Sequence, residues 1–387
     1  MPAANRFHPN LVFAYLTLFY LGLADNLRGP VFPELLEKFQ LTSSQGAWYF
    51  AASSIMSFFA AALVPRLTAR VGYKRALQLS IALMALSQLV SAVAPSFAFF
   101  IISSIALGTA IGFLGVLQNV MVLVASRPKN RARLSGGLHA NYAGSSILAP
   151  LLVGALAMSG LAFQVNFWFS FLAGVLIFVA VSRVQAFEMP SDHAAPLHES
   201  RKQTLHPEVL FVAVILSTYV AAEILVSSRL SQFAREHLGW SIAESSQLTL
   251  QFFVGMFAGR MGLFLLPAKF EARRWLIVAL ALSFVLGILG VLVHPLFYLA
   301  LGVTLGPIYP LTMTVLSELF PQNLQSATTA AVVGSGLSVV LMHLGVGWIS
   351  DFSGVRTAMF LEPLLLGLPL VMILLHPWLF GRRGVDS

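Results

Sequence analysis

The chain of 387 residues carries 23 Lys and Arg against 15 Asp and Glu, and hydrophobic residues make up 58% of it while charged residues make up only 10%. A soluble domain carries roughly 25% charged residues, so this chain cannot cover a globular surface in water and most of its outside must face lipid. The formal charge of +8 does not indicate a nucleic-acid partner, because the basic residues gather in short loops between apolar runs, as in membrane proteins.

Twelve apolar stretches follow one another along the chain with short connections. A membrane helix needs about 20 apolar residues, and irregular backbone cannot face lipid, so each stretch is predicted to be a helix. The runs are too long and too continuously apolar for barrel strands. The predicted spans are 9–35, 45–66, 75–94, 97–126, 133–159, 164–186, 208–236, 242–266, 273–292, 294–319, 324–349 and 355–379.

The first stretch has some features of a signal peptide, with "GLA" before Asp25 as a cleavage site. Its n-region holds a single basic residue, Arg6, and eleven further spans follow, so we interpret it as a retained helix. The chain has no cysteine, which excludes a disulfide framework and thiolate chemistry.

The distribution of basic residues predicts the orientation. If the N-terminus is inside, 18 of the 23 Lys and Arg fall in inner loops and tails, and basic residues in short cytoplasmic loops set topology. We therefore expect an integral protein of the plasma (inner) membrane with both termini cytoplasmic.

The longest hydrophilic stretch, "MPSDHAAPLHESRKQTLHPE" (189–208), falls in the middle of the chain. Its Pro, Ser and mixed charges are typical of a linker. The predicted organisation is a bundle over 1–187, a cytoplasmic linker over 188–207 and a second bundle over 208–387.

The two halves echo each other weakly. Asp25 follows "LA" in the first span, and Glu223 follows "AA" in the seventh, 198 positions later. "NYAGSS" (141–146) resembles "VVGSG" (332–336), and basic loops occur at 66–75 and 265–274. These matches predict a parallel structural repeat.

Four charged residues stand out within the spans. Asp25 and Arg28 are one helical turn apart in "YLGLADNLRGPVFPELL", which places them on one face of a helix. They are interpreted either as a cavity-facing pair that binds an ion or polar solute, or as a local pair whose arginine tip reaches the lipid headgroups. Glu223 has no basic residue within a turn along its helix, so it is either a proton-exchanging group or a protonated acid bonded to a neighbouring helix. Arg229 is predicted to lie either in the cavity or at its outer rim, and the sequence favours neither position.

The loop "PRLTARVGYKR" resembles the motif after the second helix of major facilitator superfamily transporters, and it keeps Arg70, Gly72, Lys74 and Arg75. Further segments resemble the fucose/hexose:proton symporter branch. They are the "ADN…P" register of the first span, "NYAGSSILAPLL", "YVAAE", "GRMGLFLLP", "GPIYP" (306–310) and "GVGWISDFSG" (345–354).

This resemblance implies an all-α membrane protein of 12 transmembrane helices in two pseudo-symmetric six-helix bundles, with a substrate site between them. It implies that helices 1, 4 and 5 border the cavity, so Gln118, Asn119, Asn141 and Tyr142 become candidate contacts, with packing and interhelical bonding as alternatives. By the branch's register, its two acid positions read Gly29 and Gly115 here, which leaves Asp25 and Glu223 as the candidate coupling acids.

Two other groups complete the candidate set. Tyr309 lies between prolines that break helical hydrogen bonding, and broken helices line or gate transport sites. Arg260 is grouped with Arg70, Gly72, Lys74 and Arg75 as a cytoplasmic gate or a contact for anionic lipid.

The sequence thus predicts a secondary active transporter that works by alternating access. The expected substrate is a sugar or a small organic anion or zwitterion, the coupling ion is H⁺, and no cofactor, metal or nucleic acid is expected for what we take to be a monomer in the bilayer. The alternatives are an exporter of amphiphilic compounds and an uncoupled facilitator. A channel and an intramembrane enzyme both rank below these. For the enzyme, neither an HExxH pair nor a G-x-S-x-G spacing occurs in the sequence.

Overall fold

The computed structural model describes residues 9–126, 128–183, 207–264, 271–319 and 324–380. Contacts divide the chain into two compact units. One comprises Met1–Gln40 with Trp48–Ala195, and the other comprises Leu41–Ala47 with Pro196–Ser387. The predicted linker at 188–207 lies outside the described residues except for its last position, and so does most of the second basic loop.

The first unit is helical throughout its described part, and two of its helices are interrupted. The first helix divides at Leu27, and the third turns at Gly72, whose φ of 78° suits a residue without a side chain. The elements are α1 (Pro9–Asn26), α2 (Arg28–Phe39), α3 (Ser43–Ala92), α4 (Phe97–Ala125), α5 (Pro128–Met158) and α6 (Gln164–Arg183). Helix α1 packs against α4, α5 and α6, and its buried face belongs to the main hydrophobic core of the unit.

The second unit repeats this plan. One helix stops at Leu305 and resumes at Ile308, across the Gly306–Pro307 pair, and another turns at Gly354, with φ of 84°. The elements are α7 (Pro207–Leu238), α8 (Ile242–Phe264), α9 (Ala272–Leu292), α10 (Phe297–Leu305), α11 (Ile308–Leu319), α12 (Leu324–Met359) and α13 (Leu361–Phe380). Helix α7 packs against α8, α12 and α13.

These elements form the twelve predicted spans. Helices α1 and α2 are one span, α10 and α11 are another, and α3 contains two spans separated at Gly72. Among the described residues, nine helical stretches are long and apolar enough to cross a membrane, and the 50-residue α3 counts there only once. Helix α8 falls outside this group, as does α13, whose apolar part covers Leu361–Leu375.

Glycines hold neighbouring helices close in both units. A Cβ added at Gly108 or Gly112 of α4 would collide with the backbone carbonyl of Ser53 or Ser57 on α3. A Cβ at Gly302 or Gly306 would likewise collide with carbonyls of α8. Both pairs are offset by 194 positions, as are Gly160 and Gly354, which have positive φ after a serine. The internal repeat is therefore present in helix packing and turn geometry, although the sequence matches between the two halves are weak.

The glycine stripe of α4 predicts a sharp difference between two substitutions. Gly108→Ala should destabilise the protein by about 1–3 kcal/mol, since the Cβ has a fixed carbonyl in its way. Gly115→Ala on the same helix should be close to neutral, because nothing lies within 4 Å of its added Cβ. Thermal unfolding of the purified variants in one detergent would check this, and equal melting temperatures would contradict the packing role.

A short segment of α3 belongs to the second unit. The carboxylate of Asp351, near the end of α12, accepts hydrogen bonds from the backbone N–H groups of Ser43 and Ser44, at 2.6 and 2.9 Å. These are unpaired donors at a helix start, and an anion is favourable there. The amide of Gln232 also donates to the Ser43 hydroxyl at 2.7 Å. Leu41–Ala47 is therefore hydrogen-bonded to α7 and α12, although the rest of α3 belongs to the first unit.

Candidate functional site

In each unit, a partly buried ion pair lies beside an interrupted helix. In the first unit the Arg28 guanidinium contacts the Asp25 carboxylate through Nη2, and its Nε donates to the Asp25 backbone carbonyl at 3.2 Å. The Arg28 side chain is 9% exposed and that of Asp25 is 23% exposed. The i, i+3 spacing in the sequence correctly predicted this pair.

The local sequence explains why helical hydrogen bonds are lost here, although Leu27 keeps helical dihedral angles. Pro30 and Pro33 have no N–H group, so the carbonyls of Asn26 and Gly29 lose their usual partners four residues later. The helix divides at Leu27, between the acid and the arginine. Polar groups are thus concentrated at one level of an otherwise apolar span.

Aromatic rings enclose the arginine. The guanidinium carbon lies 5.2 Å from the ring centroid of Phe50 and 5.7 Å from that of Tyr49. Both distances are within the range of cation–π attraction, which is stronger away from water. The Arg28 Nη1 atom is buried and has no hydrogen-bond partner among the described residues. The sequence analysis did not identify Tyr49 and Phe50, which are about 20 positions away along the chain.

Helix α5 supplies the other side of this polar cluster. Tyr142 donates to Asp25 at 3.3 Å, and the Asn26 amide donates to the Tyr142 hydroxyl at 3.2 Å and to the Ser146 hydroxyl at 3.0 Å. Tyr142 was among the predicted contacts. Asn26 and Ser146 were not, although Tyr142 and Ser146 share a face at i, i+4 spacing. The cluster of Asp25, Asn26, Arg28, Tyr142 and Ser146 presents both donors and acceptors to a polar solute.

The remaining candidates of helices 4 and 5 lie apart from this cluster. Gln118 donates to the Thr17 hydroxyl at 3.1 Å, and Asn141 donates to the Tyr15 carbonyl at 2.7 Å, two or more turns along α1 from Asp25. The exposed Asn119 donates to the Gly115 carbonyl in its own helix at 2.6 Å. Gln118 and Asn141 thus form interhelical bonds, which was the alternative reading of those residues.

The second unit pairs Glu223 with Arg260. Arg260 Nη2 donates to Glu223 Oε1 at 3.0 Å, and the two side chains are 14% and 18% exposed. The Tyr219 hydroxyl donates to the other oxygen of Glu223. Glu223 lacks a basic neighbour only along its own helix. Arg260, which the sequence analysis grouped with the inner-face loops, is brought to it from α8.

The break between α10 and α11 completes this second cluster. Pro310 has no N–H group to offer the Gly306 carbonyl, and Arg260 Nε points at that oxygen from 3.4 Å. Tyr219 lies 3.2 Å from the Leu305 carbonyl. Tyr309 is close enough to interact electrostatically with both Arg260 and Glu223. The "GPIYP" prolines predicted this break, and the carbonyl of Gly306, which Pro310 frees, is engaged by Arg260.

The other basic candidates have different surroundings. Arg229 is buried and donates to Gln232 at 3.3 Å, within the network that reaches Ser43 and Glu236. Arg70 and Arg75 are exposed, while Lys74 donates to the Ser182 carbonyl at 3.3 Å beside the turn at Gly72. In the described part of the chain, no group of three or more His, Cys, Asp or Glu side chains is arranged to hold a metal ion.

Solved structures share this fold over nearly the whole chain. A D-xylose–proton symporter superposes with a TM-score of 0.75 at 16% identity, covering 94% of this chain and 96% of its own. The transporter FucP in the outward conformation gives 0.65 at 16% identity, covering 95% and 98%. A variant of the E. coli fucose:proton symporter FucP gives 0.65 at 15% identity, covering 94% and 97%. At such identities the likeness is one of fold alone.

The family itself is identified from the sequence. No curated protein matches the chain. The model of the Major Facilitator Superfamily matches residues 14–340, which is most of its length. That family consists of transporters and not enzymes, and the apolar helices place the protein within a lipid bilayer. The protein is therefore an integral membrane transporter that belongs to the major facilitator superfamily.

Proposed function

We propose that the protein is a proton-coupled secondary active transporter that moves a small hydrophilic solute by alternating access. The observation that carries the proposal is the partly buried Glu223–Arg260 pair, bonded to Tyr219 and to the freed carbonyl of Gly306. Ionisable side chains at membrane depth are costly, and they mark ion and proton pathways. The sequence predicted Glu223 and Asp25 as the coupling acids, and the surroundings of Glu223 favour it for that role.

Protonation of Glu223 has a defined electrostatic consequence. A neutral carboxyl group no longer forms an ion pair, so proton uptake removes the attraction that holds Arg260 against α7. Arg260 also touches the break between α10 and α11. A change at one acid would therefore alter how α7, α8 and α10 are held together. A proton that binds two conformations with different affinity shifts the equilibrium between them.

The solute is proposed to bind at the Asp25–Arg28 cluster. Its hydroxyl, amide and carboxylate groups suit the hydroxyls of a sugar, and the guanidinium suits a carboxylate or phosphate. The similarity in fold to the xylose and fucose symporters favours a sugar. The arginine favours a small organic anion or zwitterion. The proposed substrate is therefore a sugar, a small organic anion or a zwitterion. We further propose that the protein is a monomer of the inner membrane with both termini in the cytoplasm.

A ligand screen followed by transport tests the proposal. Purified protein is first screened by thermal shift at acidic and neutral pH against sugars, organic acids, amino acids and dipeptides, since a binder stabilises the folded state. The best binder is then used for uptake into proteoliposomes with and without an inward proton gradient. We expect gradient-dependent accumulation. Equilibration without accumulation would indicate an uncoupled facilitator, and stabilisation by amphiphilic compounds alone would favour the exporter.

A further inference from the structure

A third acid of the membrane-spanning helices lies outside both clusters. Glu362 is in the first turn of α13, and its side chain is almost completely buried, at 1% exposure. It is eight residues beyond the turn at Gly354, which corresponds to about 12 Å along a helix. The sequence analysis did not single it out, because it lies in a long apolar run beside Pro363.

The neighbouring helix is shaped around this carboxyl group. A Cβ added at Gly287 of α9 would collide with Glu362 Oε2, so the glycine leaves room for the carboxyl group in its present position. One turn along α9, a Cβ at Gly290 would collide with the ring of the buried Tyr298 from α10. The two glycines thus create space for two polar side chains at the contact of α9, α10 and α13.

Among the residues that the structure describes, no cation balances a negative charge on Glu362. Its Oε1 atom is buried without a hydrogen-bond partner, and within the described ranges no basic side chain pairs with it. The start of α13 does not help either. Pro363 has no N–H group, and the N–H of Leu364 already donates to the Phe360 carbonyl at 3.3 Å.

The ionisable groups on the surrounding helices are engaged elsewhere or placed differently. Tyr298 is the group that interacts electrostatically with Glu362, and its hydroxyl also has no hydrogen-bond partner among the described residues. Arg273 and Arg274 lie at the opposite end of α9, where they bond the Ile373 carbonyl and Glu271. Arg356 is exposed. The charged groups of α7 are Glu208 at its start, Glu223 and Arg229, described above, and Arg235, Glu236 and His237 in its last turns.

An ionised carboxylate buried without a partner is far more costly than a neutral one. We propose that Glu362 is a second proton-binding site, filled at neutral pH, which keeps its proton through the transport cycle as a neutral carboxylic acid. It differs from Glu223 in one decisive respect, since Glu223 has Arg260 to stabilise its charged form when the proton leaves. The inference does not depend on Glu223 being the coupling acid.

Infrared spectroscopy of the purified full-length protein tests this directly. A protonated carboxyl group has a C=O stretching band separate from the carboxylate and amide bands. We expect such a band at neutral and mildly alkaline pH, absent in Glu362→Gln and retained in Glu271→Gln, which alters an exposed acid. Glu362→Gln is neutral and of similar shape, so it should melt within a few degrees of the wild type. Glu362→Met replaces it for the same spectrum if the Gln variant does not fold.

Transport distinguishes a retained proton from an exchanging one. We expect the pH profile of uptake in Glu362→Gln to match that of the wild type. Two results would overturn the proposal. One is the absence of any carboxyl band that the Glu362 variants remove, which would mean an ionised side chain. The other is an altered pH profile in Glu362→Gln, which would mean that the proton leaves during transport.

Discussion

Replacing Glu223 by Gln is expected to abolish proton-driven accumulation while leaving solute exchange intact. A gradient of one pH unit supplies about 1.4 kcal/mol per proton, which is enough for roughly tenfold accumulation of a neutral solute. Gln still accepts a hydrogen bond from Arg260 but cannot gain or lose a proton. We therefore expect the accumulation ratio in proteoliposomes to fall from about ten to about one, with counterflow in the absence of a gradient close to the wild-type rate.

The matched control is Glu271→Gln. Glu271 forms an exposed pair with Arg274, so its substitution should leave both accumulation and counterflow unchanged. Arg260→Gln offers a second test, because it leaves Glu223 without the cation that stabilises its ionised form. Tenfold accumulation by Glu223→Gln would show that Glu223 is not the coupling acid and would leave Asp25 as the candidate for that role.

Replacing Arg28 by Ala is expected to weaken solute binding by a large factor. A hydrogen bond to a charged group contributes about 1.5–3 kcal/mol, which corresponds to roughly 10- to 150-fold in Kd. Lys should not restore affinity, because it lacks the planar fork that lies between the Asp25 carboxylate and the rings of Tyr49 and Phe50. The measurement is the Kd of the best ligand from the thermal-shift screen, determined by calorimetry.

Two further variants separate binding from stability. Arg28→Ala leaves Asp25 without its partner, so the double variant Asp25→Asn/Arg28→Gln removes both charges together and should bind just as weakly. Arg356→Ala removes an exposed arginine and should bind normally. Wild-type affinity in both the single and the double Arg28 variants would mean that the pair only balances charge within its helix.

The two ion pairs have a common construction. In each, an arginine bonds a carboxylate through one guanidinium nitrogen and points its Nε at a main-chain carbonyl near a proline-interrupted helix. The difference lies in how the partners are supplied. Asp25 and Arg28 come from the same turn, whereas Glu223 and Arg260 come from two helices. The second pair can therefore couple a change of charge directly to the contact between α7 and α8.

Much of the architecture was predictable because its causes are local. Twelve runs of apolar residues predicted twelve spans, since lipid accepts only a helix with all its backbone groups bonded. The prolines around Tyr309 predicted the break between α10 and α11 for the same reason. The Asp25–Arg28 pair followed from the i, i+3 spacing of the two residues.

Only the tertiary structure decided which side chains meet. Nothing in a local window joins Glu223 to Arg260, 37 positions away, or Arg28 to the ring of Phe50. Gln118 and Asn141 had the residue types of a binding site, yet their nearest acceptors lie on α1 at Thr17 and Tyr15. An apolar run predicts that a helix is buried in the membrane, but not which of its faces meets another helix. That choice, made by packing, places Glu362 where it has no counter-charge among the described residues.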